Sequence, residues 1–199
     1  MKKILLVFVC ALFISFQSNA QAGFRLGIKG GLNFANLDTD IDTDSRTGFH
    51  AGAFATIKLT KFAIQPEIIF SQQGSEIDIN GRDLESNFSY INIPVMLKLY
   101  LIGGLNLQLG PQFGFLASAK QDAFDLITGD VREEDIKSDL KGSDVSLGLG
   151  AGIDLPFGLT ADARYNLGLS EIDDAEAIDA TKNQVFQISV GYRFIDLGK

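Results

Sequence analysis

The stretch SDVSLGLGAGIDLPFGLTADARYNLGL, residues 143–169, contains two alternating segments joined by Pro156-Phe157-Gly158. In residues 145–155 every second residue is apolar, and the residues between them are polar or glycine. The same alternation returns in residues 159–169. Apolar residues at a period of two indicate β-strands with one apolar and one polar face. The short joint containing proline and glycine indicates that the two strands form an antiparallel hairpin.

Six further segments alternate in the same way, each about 9–13 residues long, which is the length of a tilted transmembrane strand. Short joints at 60–61, 102–104 and 156–158 alternate along the chain with long joints at 35–47, 75–87, 117–142 and 170–183. We therefore predict an all-β fold, an eight-stranded antiparallel up-and-down transmembrane β-barrel with short turns at one end and long loops at the other. The predicted strands are 24–34, 48–59, 62–71, 90–101, 105–116, 143–155, 159–169 and 184–194.

Alternation alone does not decide whether the apolar face points outward or inward, because a soluble eight-stranded barrel also alternates but buries its apolar face. Here the polar face carries charges of both signs in near balance, and phenylalanines cluster at the strand ends of the apolar face. Both features favour an apolar face toward lipid and a narrow lumen filled by side chains, with no open channel. The predicted lumen network consists of Arg25, Lys29, His50, Lys58, Glu67, Lys98, Asp144, Asp154, Asp162, Arg164 and Arg193. At Pro66 and Pro94 we expect a bulge or a local irregularity, since proline removes a ladder donor.

The N-terminus has the three-part pattern of a secretory signal peptide. Lys2 and Lys3 precede the apolar run Ile4–Phe16, and a polar segment then ends at Ala20. We predict a signal peptide at 1–20 and a barrel domain at 21–199, located in the outer membrane of a Gram-negative bacterium. The single cysteine falls inside the predicted signal, so disulfides and thiol chemistry are excluded from the mature chain.

Negative charge is concentrated in the four long joints, whose net charges are −3, −3, −3 and −4. The predicted mature chain has 15 basic and 25 acidic residues, a net charge near −10, so no basic excess could neutralise phosphates and nucleic acid is not an expected partner. An acidic rim is suited to sharing divalent cations with outer-membrane lipid and lipopolysaccharide. Joint 117–142 is the longest and carries mixed charge, so we expect any envelope protein partner to contact it.

Two patterns in the sequence resemble parts of known chemical sites, one catalytic and one metal-binding. His50 is the only histidine, and membrane hydrolases pair a histidine with a serine and an acid, but no spaced serine motif surrounds it. Residues 38–44 place aspartates at alternate positions, as calcium loops do, yet Thr43 and Phe49 stand where such a loop needs glycine and glutamate. We therefore expect no enzyme activity, no metal site and no cofactor, and we interpret His50 as a hydrogen-bonding lumen residue.

Five segments together resemble the small porin-family, PorT-like outer-membrane β-barrel proteins. They are Gly27–Phe34, Gln65–Ile68, Tyr90–Val95, Gly148–Gly152 and Val190–Phe194. The resemblance implies an outer-membrane barrel in which Phe194 resembles the C-terminal signal read by the outer-membrane assembly machinery. It leaves three functions open: a structural or interaction role through the acidic loops, a narrow porin-like channel for small solutes, or a PorT-like accessory role in secretion or assembly.

Overall fold

The computed structural model describes residues 22–38, 44–78, 83–124, 131–135, 142–169 and 182–197. The predicted signal peptide and residues 39–43 of the aspartate-rich stretch lie outside them. A short 3-10 turn, Pro156–Gly158, joins two of the strands. The described strands are β1 (Ala22–Asp38), β2 (Asp44–Leu59), β3 (Phe62–Asp78), β4 (Asp83–Tyr100), β5 (Leu105–Phe124), β6 (Val131–Asp135), β7 (Ser143–Asp154), β8 (Leu159–Gly168) and β9 (Lys182–Leu197).

Eight of these strands close into an antiparallel barrel, as predicted. Sequential neighbours pair from β1 to β5, then β5 pairs β7, β7 pairs β8, β8 pairs β9, and β9 returns to β1. Gly30 of β1, for example, lies opposite Ala51 of β2 and Val190 of β9. The short strand β6 extends the sheet on β5 beyond the closed barrel.

The strands continue well into the segments predicted to be long loops. β5 reaches Phe124, and β3 pairs β4 as far as Asp78↔Asp83, so the loop predictions at 75–78, 83–87 and 117–124 are wrong. The predicted loops are strand at 35–38, 44–47, 131–135 and 182–183 as well. The lipid-facing alternation of β5, from Leu105 to Phe115, spans about 34 Å of strand, or about 26 Å along the membrane normal at a tilt near 40°. The remainder of β5, from residue 116 to Phe124, projects about 20 Å farther along the same normal. Outside lipid the outer face need not be apolar, so the sequence period disappears although the strand pairing continues.

The apolar face points outward and the polar face inward, which confirms the predicted orientation. Ile28 and Leu32 of β1 are exposed, whereas the residues that follow each of them, Lys29 and Asn33, are buried. The same alternation holds along β4 and β5. No helix among the described residues is long and apolar enough to cross a bilayer.

The prolines interrupt strand pairing without shifting the register. Pairing of β3 with β4 passes from Pro66↔Val95 directly to Ile69↔Asn92, and pairing of β4 with β5 passes from Pro94↔Gln112 to Leu97↔Leu109. The expected local irregularity is therefore confirmed, but no bulge occurs there. The register shifts lie elsewhere, at Leu26/Gly27, Ser45/His50 and Ser89/Tyr90.

Aromatic side chains pair on the outer face toward the end where the strands extend. The rings of Phe34 and Phe186 lie 6.2 Å apart, and those of Phe49 and Phe70 lie 6.0 Å apart. Each pair joins adjacent strands, a favourable separation for offset or tilted aromatic contacts. The end with the short turns is called the turn end below, and the opposite end, where the strands extend, is called the hairpin end.

Candidate functional site: the barrel lumen

The barrel interior contains four successive layers of side chains. From the turn end these are an open charged mouth, a buried charged layer, a buried neutral layer and an apolar cap. Because inward positions recur every second residue, each strand supplies a side chain to several layers. On β1, for example, Arg25, Lys29 and Asn33 belong to the first three layers in turn.

The buried charged layer is organised around one bidentate ion pair. Arg164 of β8 donates through Nη2 to Glu67 Oε1 at 2.8 Å and through Nη1 to Oε2 at 3.1 Å. Its Nη2 also donates to Gln108 Oε1 at 3.0 Å, and Gln65 donates to Glu67 Oε1 at 2.8 Å. Both charged side chains are almost completely buried, so this geometry compensates part of their desolvation.

A second carboxylate completes the charged layer. Asp162 accepts from Lys29 Nζ at 3.0 Å, lies 3.7 Å from Lys98 Nζ, and accepts a short hydrogen bond from Gln108. Lys29 also lies 3.6 Å from Glu67, so it bridges the two carboxylates. The layer therefore holds three cations and two carboxylates, with an excess of one positive charge.

The neutral layer is centred on Asn33 and His50. Asn33 Nδ2 donates to Ser71 Oγ at 2.9 Å, and its Oδ1 accepts from Gln187 at 2.9 Å. His50 Nδ1 lies 2.7 Å from the same Oδ1, and its Nε2 lies 2.8 Å from Ser189 Oγ. An amide oxygen can only accept, so His50 carries its proton on Nδ1 and accepts from the Ser189 hydroxyl.

The turn-end mouth has its own ion-pair group. Asp154 Oδ2 accepts from Arg25 Nη1 at 3.2 Å, from Arg193 Nη1 at 3.3 Å and from the Tyr100 hydroxyl at 2.9 Å. Arg25 also donates to Asp196 at 3.0 Å. Lys58 Nζ lies 3.9 Å above the Tyr100 ring, a cation–π contact.

An apolar cluster, called the apolar cap, lies on the inward face toward the hairpin end. Phe88 and Tyr90 of β4 pack with Leu116 and Ala119 of β5, and all four are buried. The register shift at Ser89/Tyr90 lies within this cluster.

The chain matches the family model described as outer membrane protein beta-barrel domain over residues 16–174. The chain belongs to this family. Proteins of this family are outer-membrane proteins, so the protein lies in the outer membrane of a Gram-negative bacterium. No curated protein matches the chain.

Two solved structures share the fold of this outer-membrane barrel. Neisserial surface protein A is 11% identical with a TM-score of 0.52, and the match covers 86% of this chain and 97% of that one. Ail, the attachment invasion locus protein of Yersinia pestis, is 16% identical with a TM-score of 0.50, covering 87% and 99%. At this identity the likeness concerns the fold alone.

The structure distributes the predicted network residues of this outer-membrane barrel over separate layers. Five of them form the charged layer, namely Lys29, Glu67, Lys98, Asp162 and Arg164; four line the mouth, namely Arg25, Lys58, Asp154 and Arg193; His50 belongs to the neutral layer. Asp144 stands apart from these groups, beside Gly114.

Uncharged side chains complete the lumen network, and the alternation of the predicted strands already places them on the inward face. Gln108 connects Arg164 to Asp162, and Asn33 connects His50 to Ser71 and Gln187. Their position on the polar face of a predicted strand is the sequence signal that indicates a lumen residue. The cap has no such signal, because Phe88 lies between the predicted loop 75–87 and the predicted strand 90–101, and the register shift changes which residues point inward.

Ser189, His50 and Asn33 stand in the order of a Ser–His–Asn hydrolase site. However, Ser189 is only 3% exposed and His50 only 2%, so no substrate carbonyl can approach the hydroxyl. The arrangement therefore supports the interpretation of His50 as a hydrogen-bonding lumen residue. Among the described residues, no cluster of three or more histidine, cysteine or acidic side chains could hold a metal ion.

Proposed function

We propose that this outer-membrane barrel has a structural or interaction role, exerted at its hairpin end, and that its lumen is closed to solutes. The observation that carries the proposal is the buried charged layer around Glu67 and Arg164. An eight-stranded barrel is only about wide enough for its own side chains. Here those side chains hold one another in place by ion pairs across the lumen.

Two further parts of the lumen, the neutral layer and the apolar cap, support the proposal that the lumen is closed. The neutral layer joins β1, β2, β3 and β9 through hydrogen bonds among Asn33, His50, Ser71 and Ser189. The apolar cap then places Phe88 and Tyr90 in the path toward the hairpin end. A solute would have to displace all three layers, including buried charges whose partners would be left unpaired.

The hairpin end provides the surface for the proposed interactions. Strands β3, β4 and β5 continue beyond their lipid-facing parts, so this end projects from the barrel. The four joints at this end hold the acidic excess of the sequence. Short turns of such barrels face the periplasm, which directs the acidic hairpins outward. They would there meet lipopolysaccharide through shared divalent cations, or an envelope protein.

Planar-bilayer recording tests closure. We expect the wild-type protein to give no stable conductance, and a variant with Glu67→Ser and Arg164→Ser to give small steps because both halves of the central ion pair are shortened. Lys61→Gln, at an exposed turn residue, is the matched control and should behave like wild type. Stable wild-type steps would refute the closed lumen and favour the narrow porin-like channel.

Shortening the hairpin end tests the interaction role. In this variant residues 117–142 are replaced by a tight turn, which leaves the lipid-facing parts of β5 and β7 intact. If the hairpins carry the function, cells with the shortened barrel should show the same envelope sensitivity to detergent and chelator as cells that lack the gene. A secretion defect on gene loss that the shortened barrel repairs would instead favour the PorT-like accessory role.

A further inference from the structure

The turn-end mouth contains an open cavity of about 490 Å³ that the proposed function does not use. It lies at the opposite end of the barrel from the acidic hairpins. Its lining includes the cations Arg25, Lys58 and Arg193 and the carboxylates Asp154 and Asp196. The cavity is therefore positive by one charge, in a chain whose overall net charge is −8.

The excess positive charge can be assigned to Lys58. Arg25 and Arg193 both pair with Asp154, and both also lie within 3.5 Å of Asp196. Lys58 makes no ion pair with a described carboxylate, and its ammonium rests on the Tyr100 ring. That ring holds the charge at the cavity wall while leaving its N–H donors available.

Arg193 adds positive charge to the cavity wall. Its side chain is 8% exposed, and its Nη groups are engaged by Asp154 and by the Leu155 carbonyl. Its Nε has no acceptor among the described residues. This donor is itself inaccessible to solvent, so Arg193 contributes positive charge at the cavity wall and no hydrogen bond that a ligand could accept.

The surroundings indicate where an anionic ligand would come from. Ile102 and Phe157, in two of the three turns at this end, are 90% and 93% exposed. Leu101 and Leu197 are also exposed near the mouth. Apolar side chains at this level mark the edge of the hydrocarbon region, so lipid headgroups lie beside the cavity.

We propose that the turn-end cavity binds a monoanionic phosphodiester, the chemistry of a phospholipid headgroup, between Lys58 and Arg193. One negative charge would neutralise the cavity, and the phosphoryl oxygens would accept from the lysine ammonium beside the positive guanidinium of Arg193. A lipid held there would anchor the turn end in its leaflet.

The test uses the full mature chain in a maltoside detergent, which contains no phosphate. Binding of glycerophosphoglycerol, a soluble phosphodiester, is followed by ³¹P NMR, and retention of phosphatidylglycerol from nanodiscs is followed by native mass spectrometry. We expect saturable binding that Lys58→Gln weakens about tenfold or more and that Lys58→Arg largely restores. Lys61→Gln is the matched control, because Lys61 lies in the turn after Lys58 and outside the cavity lining; this variant should bind like wild type.

The two arms distinguish the sources of the phosphate. Binding of the soluble diester would mean that the headgroup chemistry is sufficient, whereas binding of the lipid alone would mean that the acyl chains contribute; either supports the proposal if Lys58→Gln removes it. The proposal is overturned if neither ligand binds saturably, if acetate competes equally well, or if Lys61→Gln weakens binding as much as Lys58→Gln. Circular dichroism of each variant shows that the barrel is folded.

Discussion

Neutralising either partner of the Glu67–Arg164 pair should have unequal consequences, although each change removes the same ion pair. The surrounding layer contains three cations and two carboxylates. Glu67→Gln leaves three buried cations facing Asp162 alone, and it removes the attraction to both Arg164 and Lys29. Arg164→Met leaves two cations facing two carboxylates, and Glu67 keeps Lys29 and its hydrogen bond from Gln65.

The expected losses in the free energy of unfolding follow from this charge balance. Breaking a buried ion pair so that charge is left uncompensated costs about 3–5 kcal/mol. We expect Glu67→Gln to lower the free energy of unfolding by about that amount. Arg164→Met loses charged hydrogen bonds but restores neutrality, so we expect a loss of about 1–2 kcal/mol. In the double variant the losses should be less than additive, because the two changes remove one shared interaction.

Urea unfolding in lipid vesicles measures these differences. The chain has no tryptophan, so far-ultraviolet circular dichroism is the appropriate signal. Asp196→Asn is the matched control, because it removes a carboxylate from a partly exposed ion pair and should cost at most about 1 kcal/mol. If Arg164→Met proves as destabilising as Glu67→Gln, the charge balance of the layer does not determine its stability.

Two further predictions concern the barrel wall and the neutral layer. Gly31→Ala should reduce folding yield sharply, because a Cβ there would overlap the Ile188 carbonyl oxygen. Gly30→Ala on the opposite face should cost much less, because its Cβ would lie 3.3 Å from the His50 carbonyl oxygen and needs only a small local adjustment. Equal refolding yields for the two variants would contradict this. Ser189 should not react with a fluorophosphonate probe because it is buried, and labelling that Ser189→Ala abolishes would show that the hydroxyl is accessible and activated.

The strand arrangement was predictable because its signals are local. Alternation at a period of two reports which side of a strand meets lipid, and the spacing of the short turns reports the antiparallel order. The segments around Leu107 and Ile188 are clear cases, with apolar residues exposed and their neighbours buried. The prediction weakened where lipid contact ends. Beyond Phe115 the outer face of β5 no longer alternates, so the sequence pattern predicts loops where the structure has extended hairpins.

The sequence alone determined the number of barrel strands, their up-and-down order and the face that each turns to lipid, since these follow from neighbouring residues and from the requirement to satisfy every backbone group in a bilayer. Only the tertiary structure decided which lumen groups meet. Arg164 and Glu67 are 97 residues apart in the chain, and Lys29 and Asp162 are 133 apart. Their contacts depend on strand register and closure of the barrel, because a shift of the pairing would bring different inward side chains to the same level of the lumen.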